Sequence, residues 1–192
     1  VTVDGVILAA GFSRRVGQFK PALPIKDKPL LERCIENMQP VCNRIIVVGG
    51  YNFQKTAELT QPLSGVTLVK NEYFEKGMFS SVQSGIRAVN AGRFFLLPGD
   101  QPAVKTKTFR EMLAIEGDIV VPRYRGKKGH PVLFAAHLVP DILALPETAI
   151  LRDFIHSRAA TIVDVDDPGI GMDIDSMEDY LVIKQYFIEN MG

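Results

Sequence analysis

The chain has 192 residues, and at ~150 residues per domain this accommodates a single domain. Lys plus Arg total 22 and Asp plus Glu total 22, so no net field draws the chain to nucleic acid or to an anionic membrane. A content of 46% hydrophobic and 23% charged residues argues against disorder, and the 8% aromatic residues form no basic-aromatic array of the type that single-strand binders use. A chain of this length buries roughly 70% of its unfolded surface and needs no disulfide. Cys34 and Cys42 make neither a CxxC pair nor a metal-ligand cluster and read as reduced thiols. No apolar run approaches the ~20 residues of a membrane span, and the opening VTVDGVILAAG lacks the basic start of a signal peptide. A soluble, cytoplasmic protein is expected, with no nucleic-acid or membrane partner.

In chain order, the pattern predicts a strand over 5–10, helix over 28–38, strand over 44–50, helix over 52–59, strand over 65–71 and helix over 79–91. There follow a strand over 93–100, helix over 105–115, strands over 118–124 and 131–136, helices over 137–144 and 149–158, a strand over 161–167 and a helix over 175–190. Short apolar runs alternating with helical periods indicate an α/β fold with a mostly parallel sheet. The near-continuous hydrophobicity of the strands predicts burial on both faces. Pro102, Pro122 and Pro131 are expected at strand ends, where a missing N–H does least harm. Ligands in such sheets gather beyond the carboxyl ends of the strands, which directs attention to the loops after Ala10, Gly50, Asn71 and Leu97.

The first of these loops, LAAGFSRRVGQFK at 8–20, sets Ala9, Ala10 and Gly11 against the end of a buried strand. Small residues there let a phosphate approach the backbone N–H groups, and Arg14, Arg15 and Lys20 supply guanidinium and ammonium partners. Arg15 is favoured over Arg14 as the inward base. A tight strand-to-loop turn with solvated bases is the plainer alternative. Asp100 follows the apolar run FFLLPG, which places a carboxylate at a strand's carboxyl end, where a hard cation would take it together with nucleotide phosphates. Asp100 could also be a turn residue just ahead of Pro102. Asp173 and Asp175 flank Ile174 and would share a side in an extended segment; Asp175 or Ser176 could instead cap the last helix, with Glu178 completing a capping box.

LAAGFSRRVGQFKPALP resembles the signature of the nucleotidyltransferases that act on the molybdenum cofactor, in their cytidylyltransferase branch. The resemblance continues through NEYFEKGMFSSVQSGI (71–86), LLPGDQP (96–102), GKKGHPVLF (126–134) and DIDSMEDY (173–180), in the family's order. It implies a three-layer α/β/α, Rossmann-like fold of the nucleotide-diphospho-sugar transferase type, with a mostly parallel mixed sheet. It also implies Mg²⁺ as cofactor, with Asp100, Asp173 and Asp175 as metal ligands and Arg15, Lys20 and Asp100 as the catalytic set. The nucleotide would meet Leu8, Ala9, Ala10, Gly11, Arg15, Lys20 and Gly99, while Asn71, Ser80 and Ser81 would line or order the base pocket. On residues alone, Ser81 could simply cap a helix running to Val89, and Asn71 could be a turn residue.

Ala10 stands where the guanylyltransferase branch usually has Gly, which favours CTP over GTP. The acceptor, molybdopterin, would lie against Gly129 and His130, with Lys127 and Lys128 on a solvated hairpin tip. One segment departs from the family: where many members carry a Gly-rich GDxGAR-like run, this chain has LPETAILRDF (145–154), with Arg152 as the only counterpart of that arginine. The implied reaction is transfer of CMP to an acceptor phosphate with release of pyrophosphate, and a molybdoenzyme is a possible transient partner. A GTP-using enzyme, one with another phosphorylated acceptor such as a sugar phosphate, and a non-catalytic nucleotide or pterin carrier are the alternatives.

Overall fold

The computed structural model describes residues 2–13 and 15–190; Arg14 lies outside them. In chain order the strands and helices are β1 (Val3–Ala9), β2 (Pro24–Ile25), β3 (Lys28–Pro29), α1 (Leu30–Met38), β4 (Arg44–Gly49), α2 (Phe53–Thr60), β5 (Val66–Lys70), α3 (Met78–Ile86), β6 (Arg93–Pro98), α4 (Thr106–Leu113), β7 (Ile119–Tyr124), β8 (Lys127–Lys128), β9 (Val132–Ala135), α5 (Val139–Leu143), α6 (Leu151–His156), β10 (Thr161–Asp164) and α7 (Met177–Asn190). The main sheet runs β10-β7-β9-β6-β1-β4-β5, with β8 paired to β7. β1 lies parallel to both β4 and β6, while β9 is antiparallel to β6 and β7. The chain therefore leaves β1 for β4 and β5 on one side, then returns to β6 on the other. This reversal opens a crevice at the carboxyl end of β1, the place where open α/β sheets bind ligands.

Alternation along the central strands builds a core on each face. Ile7, Ile45, Val47, Phe95 and Leu97 pack with α1, α4 and α7 through Leu30, Leu31, Ile35, Phe109, Ile183 and Phe187. Val6, Ile46, Val48, Phe94 and Leu96 pack with α3, α5 and α6 through Phe79, Val82, Ile86, Ile142 and Phe154. The result is the expected three-layer α/β/α arrangement with a mixed, mostly parallel sheet. Burial on both faces holds for β1, β4 and β6, but the edge strands β5 and β10 are only half-buried, because each has a neighbour on one side alone.

Local differences from the expected elements have identifiable physical causes. The third helix ends at Ile86 rather than 91. Asp4, fully buried beside Arg44, accepts from the backbone N–H of Asn90 and Ala91 (3.0 and 3.4 Å), and Arg44 donates to Ala88 O, so a partner some 86 residues away draws the chain out of the helix. Pro122 sits inside β7 rather than at its end, opposite Val163 of β10, at a point where pairing with β9 has already ceased. The β2-β3 hairpin and β8 are two-residue strands, too short to leave a period. Beyond β10, buried Asp167 accepts from Lys105 N (2.8 Å), Thr108 Oγ1 (2.6 Å) and Gly169 N (2.9 Å). This tethers the segment leading to Asp173 and Asp175 against the start of α4.

Candidate active site

At the carboxyl ends of β1 and β6 lies a cleft of about 520 Å³, lined by Leu8, Ala9, Ala10, Gly11, Lys20, Ser81, Gly99, Asp100 and Asp175 among others. Its size is that of a small-molecule site. Gly99 N donates to Leu8 O at 2.8 Å, so the ends of the two strands are held together and Asp100 emerges beside the Ala9–Gly11 backbone. Lys20 reaches the same place from below. Ser13, at φ 54°, turns the loop, and its Oγ accepts from Lys20 N at 3.3 Å as a single 3₁₀ turn, Lys20–Ala22, begins. Lys20 Nζ then lies 3.0 Å from Asp100 Oδ2, with side chains only 16% and 23% exposed.

Burial pushes the Asp100 carboxyl above its ordinary range, Lys20 opposes this, and the negative charges of Asp173 and Asp175 push it up further. Negative charge thus gathers around Asp100 with Lys20 as its close counter-ion, a condition that a polyvalent cation relieves. Arg15 lines an adjoining recess of about 230 Å³ together with Phe12, Ser13, Val16, Lys20 and Asp175. Its guanidinium meets Asp175 Oδ1 at 3.0 Å in a mostly exposed pair, of little consequence for stability and open to exchange for another anion.

The three acids do not form one metal cluster: among the described residues no group of three such side chains is gathered to hold an ion. Asp100 is paired with Lys20 and Asp175 with Arg15, which separates carboxylates that would otherwise repel. Asp175 lines the cleft while Asp173 does not, although the charge of Asp173 is felt at Asp100 and at His130. Ile174 N donates to Asp100 O at 3.1 Å, fixing this segment beside β6. The helix cap is built by Ser176 and Asp179, with Ser176 N and Oγ donating to Asp179 Oδ2 and Asp179 N donating to Ser176 Oγ. Asp179 thus takes the position expected of Glu178, because it is the residue three after the cap.

Ser81 is not a helix cap either, since α3 begins at Met78; it lies on the second turn and faces the cleft. Asn71 and Ser80 do not line the cleft. Asn71, fully buried, donates to Ser80 Oγ (2.8 Å) and Ser81 Oγ (3.0 Å) and accepts from Tyr73 N (2.9 Å). It is the internal brace between the segment after β5 and the start of α3. Asn71→Ala leaves these groups short of partners and should cost about 2 kcal/mol, measurable as a lower urea midpoint.

Gly129 and His130 lie outside the cleft lining, at the start of β9, which runs beside β6. His130 Nδ1 lies 3.3 Å from Gln101 Nε2. Burial holds the His130 imidazole below its usual range; Asp173 opposes the shift and Arg152 adds to it. Lys127 and Lys128 are exposed on the β8 hairpin tip, as expected. Sequence reasoning did not single out Phe12, Phe74, Glu75, Gly77 and Met78, which form the remaining wall. Their signal was positional: Phe12 follows β1, and Phe74, Glu75 and Gly77 lie between β5 and α3, which Met78 begins.

Residues 5–162 match the model of the MobA-like NTP transferase domain. Among curated proteins, the molybdenum cofactor cytidylyltransferase of Escherichia coli K12 is 29% identical over 97% of this chain and 98% of its own. The nicotine blue oxidoreductase of Paenarthrobacter nicotinovorans is 28% identical over 92% and 93%, and a probable molybdenum cofactor guanylyltransferase of Bacillus cytotoxicus is 27% identical over 71% and 69%. Among solved structures, Rv0371c of Mycobacterium tuberculosis H37Rv superposes with a TM-score of 0.83 at 26% identity, covering 96% of this chain and 97% of that one. A manganese complex of Rv0371c gives 0.79 at 24% identity over 96% and 98%.

Proposed function

Because the chain belongs to the family of MobA-like NTP transferase domains and is thus a nucleotidyltransferase, we propose that it transfers CMP from CTP to the phosphate of molybdopterin in a Mg²⁺-dependent reaction. The observation that carries this reading is the Lys20–Asp100 pair set beside the Ala9–Gly11 backbone in a cleft at the sheet's switch point. The similarity to a molybdenum cofactor cytidylyltransferase over nearly the whole of both chains, together with Ala10, supports CTP and this acceptor; the guanylyltransferase relative makes GTP the alternative to test. Two free cysteines suit a reducing cytoplasm.

In this reading the Ala9–Gly11 backbone cradles the triphosphate, and Lys20 and Arg15 offset charge that builds on the departing pyrophosphate. An oxygen of the acceptor phosphate forms a bond to the α-phosphorus, and the bond from that phosphorus to the bridging oxygen breaks, its electron pair leaving with pyrophosphate. The acceptor is already anionic near neutral pH, so positioning and electrostatics suffice without a general base. Asp100 and Asp175 are hard oxygen donors on one cleft and would hold Mg²⁺ together with phosphate oxygens. When bound, the ion supplies neutralisation of phosphate charge. His130 and Gly129 belong to the acceptor side of the same proposal.

Gly11 gives a clean test of the loop. Among the described residues a Cβ there would meet no atom within 4 Å beyond its chain neighbours, and its φ is not in the left-handed region, so neither packing nor backbone geometry calls for glycine. Gly11→Ala should leave the melting temperature unchanged or slightly raised while weakening Mg·CTP binding about tenfold, since the methyl would occupy the phosphate approach. Equal affinity in variant and parent would remove the phosphate from this loop. The reaction itself is tested by pyrophosphate release with CTP or GTP and molybdopterin, and by swapping in a sugar phosphate; failure to release pyrophosphate with every acceptor would return the carrier alternative.

A further inference from the structure

Three loops that follow different strands meet in a ring cluster at the rim of the cleft. Phe12 follows β1, Tyr51 follows β4 and Phe74 follows β5. The Phe12 and Tyr51 ring centroids are 5.2 Å apart, Phe12 and Phe74 5.3 Å, and Tyr51 and Phe74 6.5 Å, all tilted. Such pairs contribute about 0.5–1.5 kcal/mol each beyond their buried area. Phe12 and Phe74 line the cleft, whereas Tyr51 does not. The backbone is joined at the same point: Tyr51 N donates to Ala10 O at 3.2 Å, and a Cβ on Gly50 would fall 2.6 Å from Phe74 Cβ and 2.8 Å from Ala10 Cβ.

We propose that Tyr51 is a positioning residue for the nucleotide: standing outside the cleft, its ring packs against both Phe12 and Phe74 and braces the direct Phe12–Phe74 contact that joins the two walls. The proposal rests on the nucleotidyltransferase reading for its ligand, and on the ring contacts alone for its mechanics. Without the Tyr51 ring, the Phe12–Phe74 contact loses the support that holds it, and the loop carrying the N–H groups that would face a phosphate is less firmly braced. The cleft then has to order two walls when it binds, and this ordering is subtracted from affinity. The other wall is already ordered internally by Asn71, so what Tyr51 adds is a second link between the two, beside the Phe12–Phe74 contact.

The test compares the parent chain with Tyr51→Ala and Tyr51→Phe in two measurements. The first is hydrogen exchange of backbone amides without ligand; the second is Mg·CTP affinity by calorimetry. Tyr51→Ala should speed exchange in both the 10–13 and 74–77 segments and weaken Mg·CTP about tenfold, and Tyr51→Phe should restore both because the ring, and not the hydroxyl, makes the contacts. A merely structural tyrosine would lower the melting temperature without changing affinity. Faster exchange confined to 50–53, or unchanged affinity in Tyr51→Ala, overturns the proposal. If the parent chain binds no nucleoside triphosphate, the nucleotidyltransferase reading falls, and the exchange of the two segments alone decides whether the rings couple them.

Discussion

Asp100→Asn should lower pyrophosphate release by about 10²-fold or more, the loss typical when a preorganised charge at a reacting centre is removed, with the fold retained. Asn keeps the shape of the side chain and an oxygen to accept from Lys20 Nζ, now 3.0 Å from the carboxylate. Burial already works against the charged form of Asp100, so neutralising it removes a strained charge and leaves Lys20 as the only group short of a full partner. On the proposed reading, a bound divalent ion would by contrast lose an anionic ligand in the cleft. Lys20→Met should match it in kcat for the opposite reason, by removing the cation that the proposed reading sets against the leaving pyrophosphate. Turnover assays paired with thermal melts check both variants, and near-parental turnover in either would remove that residue from catalysis.

Gly129→Ala should have its effect on stability, with a loss of about 3 kcal/mol and a fall in melting temperature of about 10 °C. A Cβ at this position would lie 2.1 Å from Ile170 O and 2.7 Å from Ile170 C, which are backbone atoms and cannot swing aside. The neighbours on both flanks are fixed, since Gly129 N donates to Pro122 O at 3.1 Å and His130 N to Ile170 O at 2.9 Å. Relief would therefore require moving β7 or the 3₁₀ turn at Pro168–Gly171, and that turn is anchored by Asp167. Calorimetric melts measure the change. An unshifted melt would mean that the 129–130 segment yields easily, and Gly129 would then be a residue spared for an approaching acceptor. The contrast with Gly11 is instructive: in one sequence, one glycine answers to the protein backbone and the other to open space.

The fold was largely legible because β1, β4 and β6 are buried runs bounded by Gly, Asn and Pro, and the helices between them carry clear apolar periods. What escaped was set at long range. The end of α3 depends on Asp4, and the two-residue strands depend on neighbours brought together by the fold. In the site, Lys20, Asp100, Asp175 and the Ala9–Gly11 loop converge on one cleft; the loop, Lys20 and Asp100 were marked by their positions after strand ends, and Asp175 by the family resemblance. Asn71 and Ser80 lie beside the cleft rather than in its lining, because their side chains are held to each other by a hydrogen bond that spacing does not reveal. The ring cluster could not be read from spacing, because Phe12, Tyr51 and Phe74 lie in three separate loops.

The central claim is that this cleft binds a nucleoside triphosphate with a divalent ion held by Asp100. Calorimetric titration of CTP, then GTP, into the protein with Mg²⁺, repeated for CTP with Asp100→Ala, tests it most directly. The account predicts saturable binding of CTP, weaker binding of GTP and a marked loss of CTP affinity in the variant. Binding of neither nucleotide, or equal CTP affinity with and without the Asp100 carboxylate, would contradict it.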